Sequence, residues 1–167
     1  MTFNELLENI LLDIDEEKSD ADITNKIKKF INRGYRELAK REGLSKSKEI
    51  TLTNGKAKLP YDCAKIYSCM VDGERVNFKV LGKNLFADDE KLTVFYNYIP
   101  DLLENDDDEL ETNENNVEFI IAFAKYLYYF SESLLDEAVS FKTEYERYFI
   151  DKSKVSIEKM VDVYGVI

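Results

Sequence analysis

The side chains of this chain whose types and spacing could do chemistry are nine carboxylates within eighteen residues. The run from Asp101 to Glu118 holds Asp101, Glu104, Asp106, Asp107, Asp108, Glu109, Glu111, Glu114 and Glu118, with no Lys or Arg among them. Clustered carboxylates can ligate a hard cation. An EF-hand loop places oxygen ligands at positions 1, 3 and 5, glycine at 6 and glutamate at 12. Counting from Asp106, position 3 is Asp108, but position 5 is Leu110 and position 6 is Glu111, so the frame fails. Paired carboxylates can also act as acid and base in glycoside hydrolysis. That chemistry needs a pocket to move their pKa values apart, whereas a solvated loop leaves them ordinary. The run therefore reads as an acidic surface or channel loop, centred on Asp106, Asp107, Asp108, Glu109 and Glu111, that acts as a field and not as a ligand site.

Other chemistry is excluded by what the chain lacks. It has no histidine, hence no imidazole base, no Ser-His or Cys-His pair and no imidazole metal ligand. Its two cysteines, Cys63 and Cys69, fit neither a redox nor a zinc motif and read as inert apolar thiols. The glycines of Asn54-Gly55, Asp72-Gly73 and Leu81-Gly82 are single turn residues, not a phosphate-cradling loop. No serine lies in a nucleophile elbow. No catalytic, cofactor-binding or metal-binding residue is assigned, no cofactor is expected, and the chain is not read as an enzyme.

The charge balance points the same way. The chain carries 34 acids against 23 bases, a net of −11, and without the acidic run the net would be −2. Such a chain is poorly suited to gripping phosphates. Its one basic cluster, Lys26, Lys28, Lys29, Arg33, Arg36, Lys40 and Arg41, reads as the solvated face of a helix. Met1-Thr-Phe-Asn-Glu5 lacks the basic start of a signal peptide. The longest apolar stretch, Val117–Phe130, is too short to span a bilayer. A soluble protein made in the cytoplasm, with no membrane partner, is expected. Tyr (11) and Phe (10) are plentiful in the 167 residues, enough for a real core and also suited to a surface that a partner covers.

The elements that must position these residues follow from periodicity. Thr2-Phe-Asn-Glu5 is a capping box, and Leu6, Leu7, Ile10, Leu11 and Ile14 recur at helical spacing, predicting a helix over about 3–17. Ser19-Asp20-Ala21-Asp22 breaks it and caps a second, over about 23–42, with Ile23, Ile27, Phe30, Ile31, Tyr35 and Leu38 on one stripe and Gly43 at its end. Gly34 within it predicts the close approach of another helix. The pattern then turns to period two over about 48–99, with hairpins predicted at Asn54-Gly55 and Asp72-Gly73. A strand over Leu92–Ile99 is expected to pair with Leu85-Phe86-Ala87. This middle section reads as a small antiparallel meander. After the acidic loop, 101–116, come helices over about 117–133 and 134–152. The first is apolar nearly all round; the second places Leu135, Ala138, Phe141, Tyr145, Tyr148 and Phe149 inward. The fold class is α+β: an N-terminal helix pair, a β-meander and a C-terminal helix pair forming a helical bundle. Residues 1–152 read as one domain. Residues 153–167 form an apolar tail, with Val155, Ile157, Met160, Val161, Val163, Tyr164, Val166 and Ile167, of the kind that needs something to pack on.

The order of these elements, with Asn32, Tyr35 and Leu38 in the second helix, Ile50-Thr51-Leu52 through Leu59-Pro60-Tyr61-Asp62, Met70-Val71-Asp72-Gly73, Tyr96 to Pro100, and Tyr145 or Tyr148 late in the chain, resembles the head–tail connector (adaptor or head-completion) proteins of tailed bacteriophages. The resemblance covers residues 23–150. It implies a virion structural protein at the head–tail interface, made in the bacterial host cytoplasm. Its subunits would form a ring, commonly twelvefold, seated under the portal protein, extending the DNA channel and receiving a tail-side connector or stopper protein. DNA would pass without specific binding, and the acidic loop would line or hang near the channel. The tail 153–167 would dock on the portal. A second reading is an acidic DNA mimic that inhibits a nucleic-acid enzyme; clustered Asp and Glu suit it, although mimics usually spread charge over a surface.

Overall fold

A computed structural model describes residues 1–112 and 114–164, the side chains of 114, 115 and 151–164 excepted. The α+β class is as expected: two helices, antiparallel sheets, then two helices. The chain divides into a helical unit, Met1–Tyr35 with the chain from Leu102 onward, and a β unit, Arg36–Asp101.

In the helical unit, α1 (Phe3–Asp13) starts at the predicted capping box. Thr2 Oγ1 accepts from the Glu5 amide at 3.2 Å, and Glu5 Oε2 accepts from the Thr2 amide at 2.8 Å. Phe3, Leu6, Leu7, Ile10 and Leu11 are buried. The helix stops at Asp13, short of the expected Glu17. Asp15 turns left-handed (φ 57°), and the Glu16 amide donates back to Leu11 O at 2.9 Å, closing the end as a Schellman motif. α2 (Ala21–Glu42) begins where Asp20 Oδ1 accepts from the amides of Asp22 and Ile23, at 2.9 and 3.0 Å. The division between the units falls within this helix, after Tyr35.

α3 (Glu114–Ser131) and α4 (Leu135–Tyr164) pack by aromatic contacts. Phe119 lies edge-on to Tyr145 and Phe149, with centroids 5.7 and 5.1 Å apart; Phe123 does the same with Tyr145 at 5.2 Å; Tyr129 stacks on Phe141 at 5.4 Å. These contacts engage six of the 21 Tyr and Phe residues within one chain. A Cβ at Gly34 would stand 3.2 Å from Phe123 Cδ1 and 3.4 Å from Ile120 Cγ2. Gly34 thus admits α3 closely, the predicted reason for it. Leu135, expected inward, is 58 % exposed, while Ala138 and Tyr145 are buried; the left-handed Ser133 (φ 63°) sets the phase of α4. α4 also continues past Lys152 to Tyr164, since no Gly or Pro interrupts it before Gly165. Of the expected docking tail, the side chains of Val155, Ile157, Met160, Val161, Val163 and Tyr164, and the whole of Val166 and Ile167, lie outside the described residues.

In the β unit, β1 (Ser45–Thr51), β2 (Lys56–Lys58), β3 (Cys63–Val71), β4 (Glu74–Arg75), β5 (Lys79–Leu81), β6 (Asn84–Phe86) and β7 (Lys91–Tyr98) form two sheets, ordered β1-β7-β3-β4 and β2-β6-β5. Both predicted turns form with positive φ: Asn54 and Gly55 at 53° and 71°, Asp72 and Gly73 at 49° and 86°. The first is not the start of a long hairpin. Beyond the Thr53–Lys56 bridge its arms separate, β1 to β7 and β2 to β6. Leu85-Phe86 pairs with β2 and β5, not with β7 as expected, because Gly82 (φ 59°) folds β5 straight back on β6. β7 is an interior strand whose alternate residues Leu92, Val94, Tyr96 and Tyr98 are buried. Both cysteines are free and lie on β3, Cys69 buried and pushed by burial up to about 11, Cys63 half-buried and also raised.

Candidate functional site

The acidic run is not a freely solvated loop. Its part from Leu102 to Thr112 is a strap laid on the helical unit, and its main chain completes helix α1. The first amides of a helix have no acceptor within the helix. Here Asp108 O accepts from the Phe3 amide at 2.8 Å and Asp106 O accepts from the Asn4 amide at 3.0 Å. The Leu110 amide donates to Met1 O at 3.3 Å, and Thr2 and Glu109 form an antiparallel bridge. The strap brings its carboxylates to the positive end of the α1 dipole, where negative charge is favoured.

Two side chains of α2 fasten the strap from the other side. Asn32 behaves as a displaced strand residue: its Oδ1 accepts from the Leu103 amide at 2.7 Å and its Nδ2 donates to Leu103 O at 2.9 Å. One turn on, the Tyr35 hydroxyl accepts from the Glu111 amide at 3.1 Å. Leu103 and Leu110 are buried between these clamps. Two apolar anchors with the acids between them thus underlie what looked like a charge run.

The five central acids divide by role. Asp106 pairs with Lys28 Nζ at 2.7 Å, and that contact holds its carboxyl below the ordinary value. Asp108 accepts from the Asn105 and Glu104 amides, at 2.9 and 2.7 Å, and these bonds lower it likewise. Asp107, Glu109 and Glu111 are exposed. The ordinary pKa values expected of a solvated loop therefore fail at Asp106 and Asp108, because each has a fixed donor. Among the described residues, no group of three or more Cys, Asp or Glu is arranged to hold a metal ion, and no helix is long and apolar enough to cross a membrane.

The basic cluster of α2 is also engaged in part. Lys26 pairs with Glu132, Lys28 with Asp106 and Arg41 with Glu37, and Arg36 Nε reaches Pro100 O at 3.5 Å. The remaining exposed positions, Lys29, Arg33 and Lys40, fall with Arg36 on one side of the helix, the solvated face expected of this cluster. Two buried hydroxyls serve packing: Tyr96 is pushed up to about 12, mostly by burial and then by Asp62, and Tyr128, which donates to Glu16 Oε1 at 2.5 Å, is raised by burial and then by Glu16.

Asn32, Tyr35 and Lys28 are the residues whose role in holding the strap the sequence alone did not disclose. A signal existed for Asn32, since Asn in a helix interior is unfavourable unless its side chain finds a partner elsewhere.

A family model described as SU10 adaptor protein matches residues 1–84, just over half of the 167. The matched stretch contains Asn32, Tyr35 and Leu38, both Asx-Gly turns and strands β1–β5. No curated protein matches the chain.

Proposed function

Because the chain belongs to the SU10 adaptor protein family, and is accordingly a phage structural protein of the adaptor type, we propose that it is a subunit of a ring joining the portal to the tail and extending the DNA channel. The family match over residues 1–84 is the observation that carries this reading. The ring is twelvefold, seats on the portal through residues 153–167, and receives a tail-side connector or stopper protein on its far face. Its work is done by contacts and by a field, not by catalysis.

The strap's chemistry supports that role. Asp107, Glu109 and Glu111 are exposed on a segment fixed at both sides. A fixed negative surface beside a DNA path repels phosphates and keeps the duplex from sticking. The DNA-mimic reading draws less support, because Asp106 is neutralised by Lys28 and Asp108 is spent on amides of its own strap.

Light scattering of the full chain, alone and with the portal protein of the same phage, tests the proposal. A ring or a ring–portal complex is expected, and deletion of 153–167 should abolish portal binding while preserving the circular dichroism spectrum. A strict monomer that never binds the portal overturns the ring; unchanged binding after the deletion overturns the docking role of the tail.

A further inference from the structure

Charge is segregated between the two units. Residues 36–101 carry 12 Lys and Arg against 10 Asp and Glu, a net of +2, and the rest of the chain carries 11 against 24, a net of −13. Within the β unit, a groove of about 690 Å³ lies where the start of β3 meets the β5–β6 turn. Lys58, Lys65 and Lys83 line it, and no Asp or Glu does. All three lysines are exposed, and none has an ion-pair or hydrogen-bond partner for its ammonium group among the described residues. Between them the lining is mostly apolar, with Leu59, Ile66, Val80 and the ring of the 85 % exposed Tyr61, whose hydroxyl donates outside the lining to Asp101 Oδ2. Three uncompensated ammonium groups around an apolar lining suit an anionic partner with an apolar centre.

The helical unit presents that chemistry at the corner between α3 and α4. The chain turns at Ser133, with the Ser133 amide donating to Phe130 O at 3.3 Å and the Leu134 amide to Tyr129 O at 3.0 Å, a second Schellman closure that fixes the corner's shape. Phe130, Leu134, Leu135 and Val139 are between 45 and 61 % exposed there. Asp136 and Glu137, in the first turn of α4, are exposed and hold no ion pair among the described residues.

We propose that the apolar, acidic corner of one copy seats in the lysine-rimmed groove of the next. Groove and corner are different surfaces, so the contact is heterologous: every copy uses both, and repetition closes into a ring. The inference rests on the ring reading and names the surfaces that make it. Opposite charges around an apolar centre set register and speed encounter, and the assembly weakens as salt rises.

The test is charge exchange in the full chain, read by sedimentation velocity across a concentration series at low and high salt. K58E/K65E/K83E and D136K/E137K should each weaken self-association by about tenfold or more, with unchanged circular dichroism because all five positions are exposed. Combining both sets in one chain recreates opposite charges with the signs swapped, and should restore assembly. That rescue separates a lost contact from a lost fold. If wild-type chains associate and neither reversal weakens them, or the combined variant is no better than each parent, the groove–corner contact is wrong and the ring survives by other surfaces. Wild-type chains that stay monomeric, alone and with the portal, overturn the ring as well. A lysine variant that loses affinity for labelled duplex DNA while assembling normally reassigns the groove to phosphate and also overturns the contact.

Discussion

Replacing Asn32 by Ala should loosen the acidic strap from the helical unit. The side chain makes two bonds to Leu103, at 2.7 and 2.9 Å, and Leu103 itself is buried, so both its amide and its carbonyl lose their partners at once. Each such bond contributes about 1 kcal/mol, and a buried group left unpaired costs somewhat more. Ala is the better helix former by roughly 0.5 kcal/mol, which offsets part of the loss. The expected net destabilisation is about 2 kcal/mol, a fall in Tm of about 4–8 °C for a chain of this size. Urea unfolding followed by circular dichroism gives the energy, and amide hydrogen exchange gives the location: Leu103, Glu104 and Glu111 should exchange faster. Asn32→Asp sharpens the test. An ionised Asp still accepts from the Leu103 amide but sets a carboxylate against the Leu103 carbonyl, so it should be at least as damaging at neutral pH and partly recover when protonated. An Asn32→Ala chain within about 0.5 kcal/mol of wild type, with unchanged exchange at Leu103, would contradict the clamp.

Other substitutions and titrations check separate links. Gly34→Val should destabilise by about 1–3 kcal/mol in thermal melts, because its methyls meet Phe123 and Ile120 and Phe123 is itself braced by Phe119, Tyr126 and Tyr145; a stabilised variant would show that α3 can yield. Asp106 and Asp108 have folded-state values below the ordinary 3.8, so the stability they contribute is present above that value and is lost as pH falls through the depressed one. The urea midpoint of wild type should therefore drop more steeply on acidification than that of Asp106→Asn, and parallel curves would remove Asp106 from the explanation. Thiol titration at mildly alkaline pH should modify Cys63 well before Cys69, whose thiol is buried and raised to about 11; equal rates would place Cys69 nearer the surface. Tyr96, pushed up to about 12, and Tyr128, raised likewise, should ionise in the folded protein only after most other tyrosines. A uniform absorbance titration would contradict their burial.

What could be read from the sequence was local. The capping box at Thr2, the Asp20 cap, the α2 stripe and both Asx-Gly turns each depend on residues within a few positions, and the glycine inside a helix at Gly34 was itself a local mark of a close neighbour, though not of which one. Pairings between distant segments could not be read this way. β1 finds its partner in β7, some forty residues on, and nothing in Lys48–Thr53 distinguishes that partner from the nearer β2. Two helix ends were also misplaced or unmarked, because Asp15 and Ser133 occupy left-handed positions that glycine usually signals. The acidic run was the hardest. Its charge advertised a loop, while its anchoring rests on main-chain groups meeting α1 and on Asn32 and Tyr35, seventy or more residues earlier. Only the apolar positions Leu103 and Leu110 hinted that the segment had an inner side. The family resemblance did better, since Asn32 and Tyr35 were among the residues that carried it and are two of the three α2 residues that hold the strap.

The most direct test of the adaptor role is an electron cryo-microscopy reconstruction of the phage particle that carries this protein. The expected result is a ring of this chain beneath the portal, enclosing the DNA path, with the strap's exposed acids on the ring. Particles whose head–tail junction contains no copy of the chain would contradict it.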